Sequence, residues 1–248
     1  MFISKIKLTI INILQIIIVN LYKLYKAVFN NKANVVNNAL LIEGYYDQKL
    51  LIYINPLKIS YYLPVGEEIN GVYQNRFWKK FICEGNWEES IKLINDHRKT
   101  KAMYELIDAK GQFKEINAYK KHVYELEKNQ LNTKNEPRNE VLDTMEKINE
   151  YYCENYKLFN KIKDIGFLTT KELNIDSINE IGVAIGRNGE LYRYGNGYHR
   201  MAIAKYLKLN KIPVKIRLIH TEWYNYCKQK HDCDPIEAVL IEITKRCI

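Results

Sequence analysis

The chain has 248 residues, of which 47% are hydrophobic and 27% charged, with only 11 Gly and 5 Pro. That composition excludes disordered, collagen-like and low-complexity chains and leaves ample apolar material for a core. The net charge of +9 is local: residues 1–42 hold Lys5, Lys7, Lys23, Lys26 and Lys32 and no acid, so 33 basic residues (38 less those five) face 29 acidic ones in the remainder. A body so close to neutral disfavours a nucleic-acid groove binder, which gathers basic residues on one folded face.

Five cysteines, at 83, 153, 227, 233 and 247, are odd in number and scattered. This is no disulfide framework, and it predicts reduced thiols and a cytoplasmic compartment. The cluster Cys227-x3-His231-x-Cys233 offers three groups to zinc. It lacks paired C-x2-C knuckles and a fourth ligand, so no metal site is expected.

Residues 1–30 read as an amphipathic helix. Polar positions at 5, 9, 12, 15, 20, 23, 26 and 30 recur at about the helical period, giving a narrow polar stripe tipped with lysines. The uncharged window from Leu8 to Tyr22 is short for a bilayer span. No small-residue cleavage site follows, which argues against a secretory signal. Three placements fit: a helix in an anionic membrane interface, which leads, a core helix, and a tilted span with snorkelling lysines.

Residues 31–49 are polar and predict a linker. Leu50–Asn55 is a short apolar run stopped by Pro56 and predicts a strand. Tyr61 through Gly71 reads as loop. Residues 76–127 have helical spacing and predict at least two helices, broken around Glu84-Gly85 and Gly111. A polar loop at 129–138 precedes the clearest helix, marked by Val141, Met145, Ile148, Tyr152, Phe159 and Ile162 and stopped by Gly166. Ile181–Ile185 and Glu190–Tyr194 predict a hairpin through Asn188-Gly189. Met201–Leu209 predicts a helix, Ile212–Leu218 a final strand, and Pro235 opens a helical carboxyl-terminal tail over 225–248.

Chemistry concentrates at Tyr194-Gly-Asn-Gly-Tyr-His-Arg200, between a strand and a helix. Gly195 and Gly197 let the backbone turn sharply and approach a ligand, and the amides opening the next helix point into the same space. Such a junction suits an anion such as phosphate, and Arg200 has a fork that matches phosphate oxygens.

The wider block, GVAIGRNGELYRYGNGYHRMAIAKYLKLNKIPVKIRLIH, resembles the ParB amino-terminal/sulfiredoxin superfamily. Weaker likenesses extend it upstream: Ile54-Asn55-Pro56, the Gly85–Glu88 sequence GNWE, and the Ile162-x3-Gly166 step. His220 and Trp223 extend it downstream. The resemblance is nearest to uncharacterised ParB-like proteins. It implies an α+β fold with a mixed sheet over 50–224, carrying a helical insertion at about 60–150. It also implies that the glycine-rich turn binds a nucleoside di- or triphosphate, since members take ATP, ADP or CTP, with Mg²⁺ bridging the phosphates. Carried over residue by residue, Gly195, Asn196, Gly197, His199 and Arg200 are the expected contacts. Two departures narrow the activity. Tyr198 stands where sulfiredoxin has its cysteine, and about 25 residues follow Trp223, too few for a helix-turn-helix domain.

Arg187 and Glu190 flank the hairpin turn, and His220 ends the last strand. Glu190 begins the strand that leads into Gly195 and is placed to orient Arg187 or Arg193, while His220 is expected to share one rim with the phosphate turn. Arg187 is taken as a further cofactor contact, and Glu190 and His220 as catalytic candidates. No P-loop, G-x-S-x-G or H-E-x-x-H motif is present. The expectation is a nucleotide-binding protein, either a phosphotransferase or nucleotide hydrolase acting on a small or envelope-associated substrate, or a non-catalytic nucleotide or anion sensor.

Overall fold

The structure, a computed structural model, describes residues 16–26, 36–64, 80–128, 142–173 and 180–247. It is a mixed α+β protein. Residues 16–26 form helix α1, followed by α2 (Ala39–Tyr46) and strand β1 (Leu51–Ile54). Three two-residue strands come next, β2 (Tyr61–Tyr62), β3 (Ile82–Cys83) and β4 (Lys92–Leu93). Three helices follow, α3 (Arg98–Asp108), α4 (Asn117–Glu127) and α5 (Met145–Ile165). The chain then runs β5 (Gly182–Ile185), β6 (Leu191–Arg193), α6 (Tyr198–Tyr206), β7 (Ile212–His220), α7 (Thr221–Lys230) and α8 (Pro235–Cys247).

The strands form one sheet in the order β1-β7-β5-β6-β2-β4, with β3 also paired to β7. All nine residues of β7 are buried, as a strand covered on both faces requires. β5 runs parallel to it, pairing Gly182 with Lys215 and Ile185 with Ile219, while β6 folds back antiparallel on β5. α6 joins two cores. Met201 and Ala204 pack toward the sheet with α2, α7 and α8, whereas Ala202 and Ile203 pack against α3, α4 and α5.

Three expectations are corrected. Residues 39–50 are not linker but α2 and a 3₁₀ turn, with Ile42 and Tyr46 in the core. Their polar residues serve β7: Asp47 takes Lys215 at 2.7 Å and Glu43 takes Arg217 at 2.5 Å, so two buried cations of the central strand are neutralised. Residues 80–97 are short strands and 3₁₀ turns instead of helix, because Trp87 and Ile94 are buried against the sheet and Gly85 turns with φ +90°. The carboxyl-terminal segment is a core layer, since α8 buries Ile236, Val239 and Ile243. The expected break at Gly111 is present between α3 and α4, and Thr144 and Gly166 bound α5. The loops at 129–138 and 65–71 lie outside the described residues.

Helix α1 is docked by a narrow inner stripe. Tyr22 is buried against Tyr45, Val19 fills the space a side chain at Gly44 would occupy, and Lys26 is fully buried with its ammonium 2.7 Å from Asp234. Tyr46 donates to the same carboxylate. Lys26, read from the sequence as part of a narrow polar stripe, is a buried strut. No helix of the described residues is long and apolar enough to cross a membrane.

Candidate anion site

The glycine turn is pinned to the start of β5. Gly182 N donates to Asn196 O, and Tyr194 N donates to Gly182 O. Gly195 and Gly197 both have positive φ, +81° and +90°. A side chain at Gly197 would collide with Ile181, whereas one at Gly195 would meet no atom within 4 Å. The turn is therefore closed on the Gly197 side and open on the Gly195 side. Gly197 is the N-cap of α6 and, lacking a side chain, places no capping group over the first turn of the helix.

Behind the turn lies Arg193, the last residue of β6, with no exposed surface. Its Nη2 donates to Gly195 O, but Nε and Nη1 have no hydrogen-bond partner. The guanidinium lies 3.0 Å from the centre of the Tyr198 ring, and the His97 imidazole stacks on that ring at 3.7 Å and 7°. Two planar groups this close to one ring must occupy its opposite faces, so Arg193, Tyr198 and His97 form a layered stack. Burial draws the Arg193 pKa down to about 10, partly offset by Tyr198. No carboxylate contributes.

Two histidines share this environment. His97 caps α3 by accepting from Lys99 N through Nδ1. His199, in the first turn of α6, shares a 2.7 Å hydrogen bond between Nε2 and the Tyr151 hydroxyl. Burial lowers the pKa of each to about 3, reinforced for His97 by Arg193, Lys99 and Arg98, and for His199 by Lys99, His97 and Arg193. Tyr151 also lines a cavity of about 30 Å³ with Arg98, Lys99, Lys121 and His122. The local field is positive, and an anion is what it suits.

The other expected contacts are placed differently. Arg200 is buried, but its Nη1 lies 3.1 Å from Glu180, its Nη2 donates to Leu168 O, and its plane covers Phe167. Glu180 in turn accepts from Thr170 N. The fork assigned to phosphate from sequence is held by a carboxylate, and Arg193 stands at the turn instead.

Arg187, Glu190 and His220 do come together, at the opposite end of the sheet. The parallel register of β5 and β7 sets His220 beside Ile185 and the hairpin turn, while the glycine turn sits beside Gly182. Four residues of strand separate the two ends by about 13 Å. The rim expected to join His220 to the phosphate turn does not exist. Here the GNWE sequence forms a clamp: Glu88 accepts from Arg187 N and Nε, Asn86 and Gly85 O accept from its Nη2, and Trp87 packs on Tyr192 and His220. His220 is fully used, donating from Nε2 to Gly85 O while Nδ1 accepts from Glu222 N. Glu190 accepts from Asn188 N across the turn.

Cys227 is buried and His231 binds Glu242, and no group of three metal-ligating side chains occurs among the described residues. Cys83, Cys153, Cys227 and Cys233 are free thiols.

Sequence reasoning missed Arg193, His97, Lys99 and Tyr151. The only sequence signals were an arginine in a short strand otherwise facing the core and a His-Arg-Lys run opening a helix. Comparisons with known protein families, with curated proteins and with solved structures returned no match.

Proposed function

We propose that the protein binds a phosphate-bearing ligand, of the nucleoside di- or triphosphate class, at the Gly195–Gly197 turn, and that it does so as a binding or sensing module. The observation that carries this reading is Arg193: a fully buried guanidinium with two unpaired nitrogens, set against an open turn and a helix N-terminus. Leaving such donors buried and unmade costs free energy, and an anion entering beside Gly195 would recover it. Lys99 and the neutral faces of His97 and His199 complete the surroundings. A ParB/sulfiredoxin-like ancestry would account for the placement of the turn.

The non-catalytic reading is preferred to phosphotransfer because the acid and base candidates, Glu190 and His220, lie at the far end of the sheet and are occupied in the clamp. The charges assembled at the turn suit phosphate oxygens and not a Mg²⁺ ion.

Calorimetric titration with ATP, CTP, ADP and pyrophosphate, each beside the parent nucleoside where one exists, tests the proposal. At least one phosphate compound should bind at least tenfold more tightly than its nucleoside, because the anion provides the affinity. Binding by nucleosides alone, or by none of the panel, would overturn it.

A further inference from the structure

The Lys26–Asp234 pair fixes more than a docking contact. With Val19, Tyr22 and Lys26 turned inward, the opposite ridge of α1 is Ile17, Leu21 and Leu24, which are 49%, 61% and 61% exposed. Ile16 and Tyr25 widen it at 62% and 37%. The helix is amphipathic in the reverse sense from an ordinary surface helix: its buried stripe contains a charge, and its outer ridge is apolar. Lys23 is exposed on the flank between the two.

We infer that this ridge is a membrane-interface contact, and that its occupant is a bilayer surface rich in anionic lipid. Charge complementarity supports that choice over a protein partner. Every charged residue before Glu43 is a lysine, and with Lys26 buried against Asp234 the segment offers an anionic surface four cations, Lys5, Lys7, Lys23 and Lys32, and no repulsion. The ridge is one side chain deep, which matches insertion by roughly 5–10 Å into the headgroup boundary, with the body of the protein remaining outside. The buried ion pair supplies the orientation. It sets the roll of the helix, so the apolar ridge points away from the sheet.

The test is co-sedimentation of the full chain with vesicles of phosphatidylcholine alone and of phosphatidylcholine with phosphatidylglycerol, at low and high salt. Binding should require the anionic lipid and weaken with salt. The double variant Leu21→Asn/Leu24→Asn, changed only at exposed positions, should keep its melting transition and lose about tenfold or more in partitioning. Failure of the unaltered protein to bind anionic vesicles at low salt would overturn the inference, as would equal partitioning by the double variant. A dimer seen by light scattering that dissolves in the double variant, without vesicle binding, would give the ridge to a second copy and likewise overturn it. Lys23→Gln, which leaves the ridge intact, should weaken binding to the anionic vesicles at low salt more than at high salt; an equal loss at both salts would contradict the electrostatic part.

Discussion

The two ends of the β5–β6 hairpin treat their arginines in opposite ways. At the Asn188-Gly189 end, Arg187 is surrounded by acceptors: a carboxylate of Glu88, the amide oxygen of Asn86 and the carbonyl of Gly85. At the glycine-turn end, Arg193 is more deeply buried yet has one acceptor and two unmet donors. A protein that needed Arg193 only for packing could have used an apolar side chain of similar volume without the desolvation cost. The difference teaches that satisfied charge marks architecture in this chain, and the unsatisfied charge of Arg193 is what the proposed ligand would complete.

Arg200 sharpens the contrast, because it is buried like Arg193 but matched like Arg187. Arg200→Met leaves Glu180, 2% exposed, without its cation. The expected loss is ~3–5 kcal/mol in urea denaturation, the cost of orphaning a buried carboxylate. Adding Glu180→Gln should restore part of it. An Arg200→Met protein of unchanged stability would break the distinction.

The histidines give a smaller effect with a defined sign. His97 and His199 have folded pKa values lowered from 6.5 to about 3. Between those values the unfolded chain takes up protons that the folded chain refuses, so their contribution to stability is present above pH 6.5 and is lost as pH falls toward 3. Relative to His97→Gln/His199→Gln, the unaltered protein should show a steeper decline across this window, by up to two protons of slope. Sulfate, which stays dianionic there, should flatten the decline only in the unaltered protein. Parallel curves for the two proteins would show that burial does not hold the two imidazoles neutral.

Much of the fold could be read in the sequence where the determinants are local. Periodicity, the Gly166 stop and the Asn-Gly turn placed α5, β5, β6 and most of α6 and β7. The elements that escaped depend on partners far along the chain. Glu43 and Asp47 look like solvated linker residues until Arg217 and Lys215 are seen opposite them. Two-residue strands such as β2 and β4 have no periodicity to detect. The glycine turn was legible as a sharp strand-to-helix junction, but which arginine stands behind it was not. That choice turns on Glu180 facing Arg200, and the exclusion of His220 turns on the parallel register of β5 with β7.

The smallest expected effect on stability is also the most direct test. Arg193→Met removes a buried charge and its two unmet donors while keeping the side chain's length and much of its packing on Tyr198. In anion-free buffer its urea midpoint should equal or exceed that of the unaltered protein, whereas calorimetric binding of pyrophosphate or of the best nucleotide should fall by at least tenfold. A variant that unfolds would show that the guanidinium is structural, and one that binds phosphate compounds as tightly as before would place the site elsewhere; either result contradicts the account.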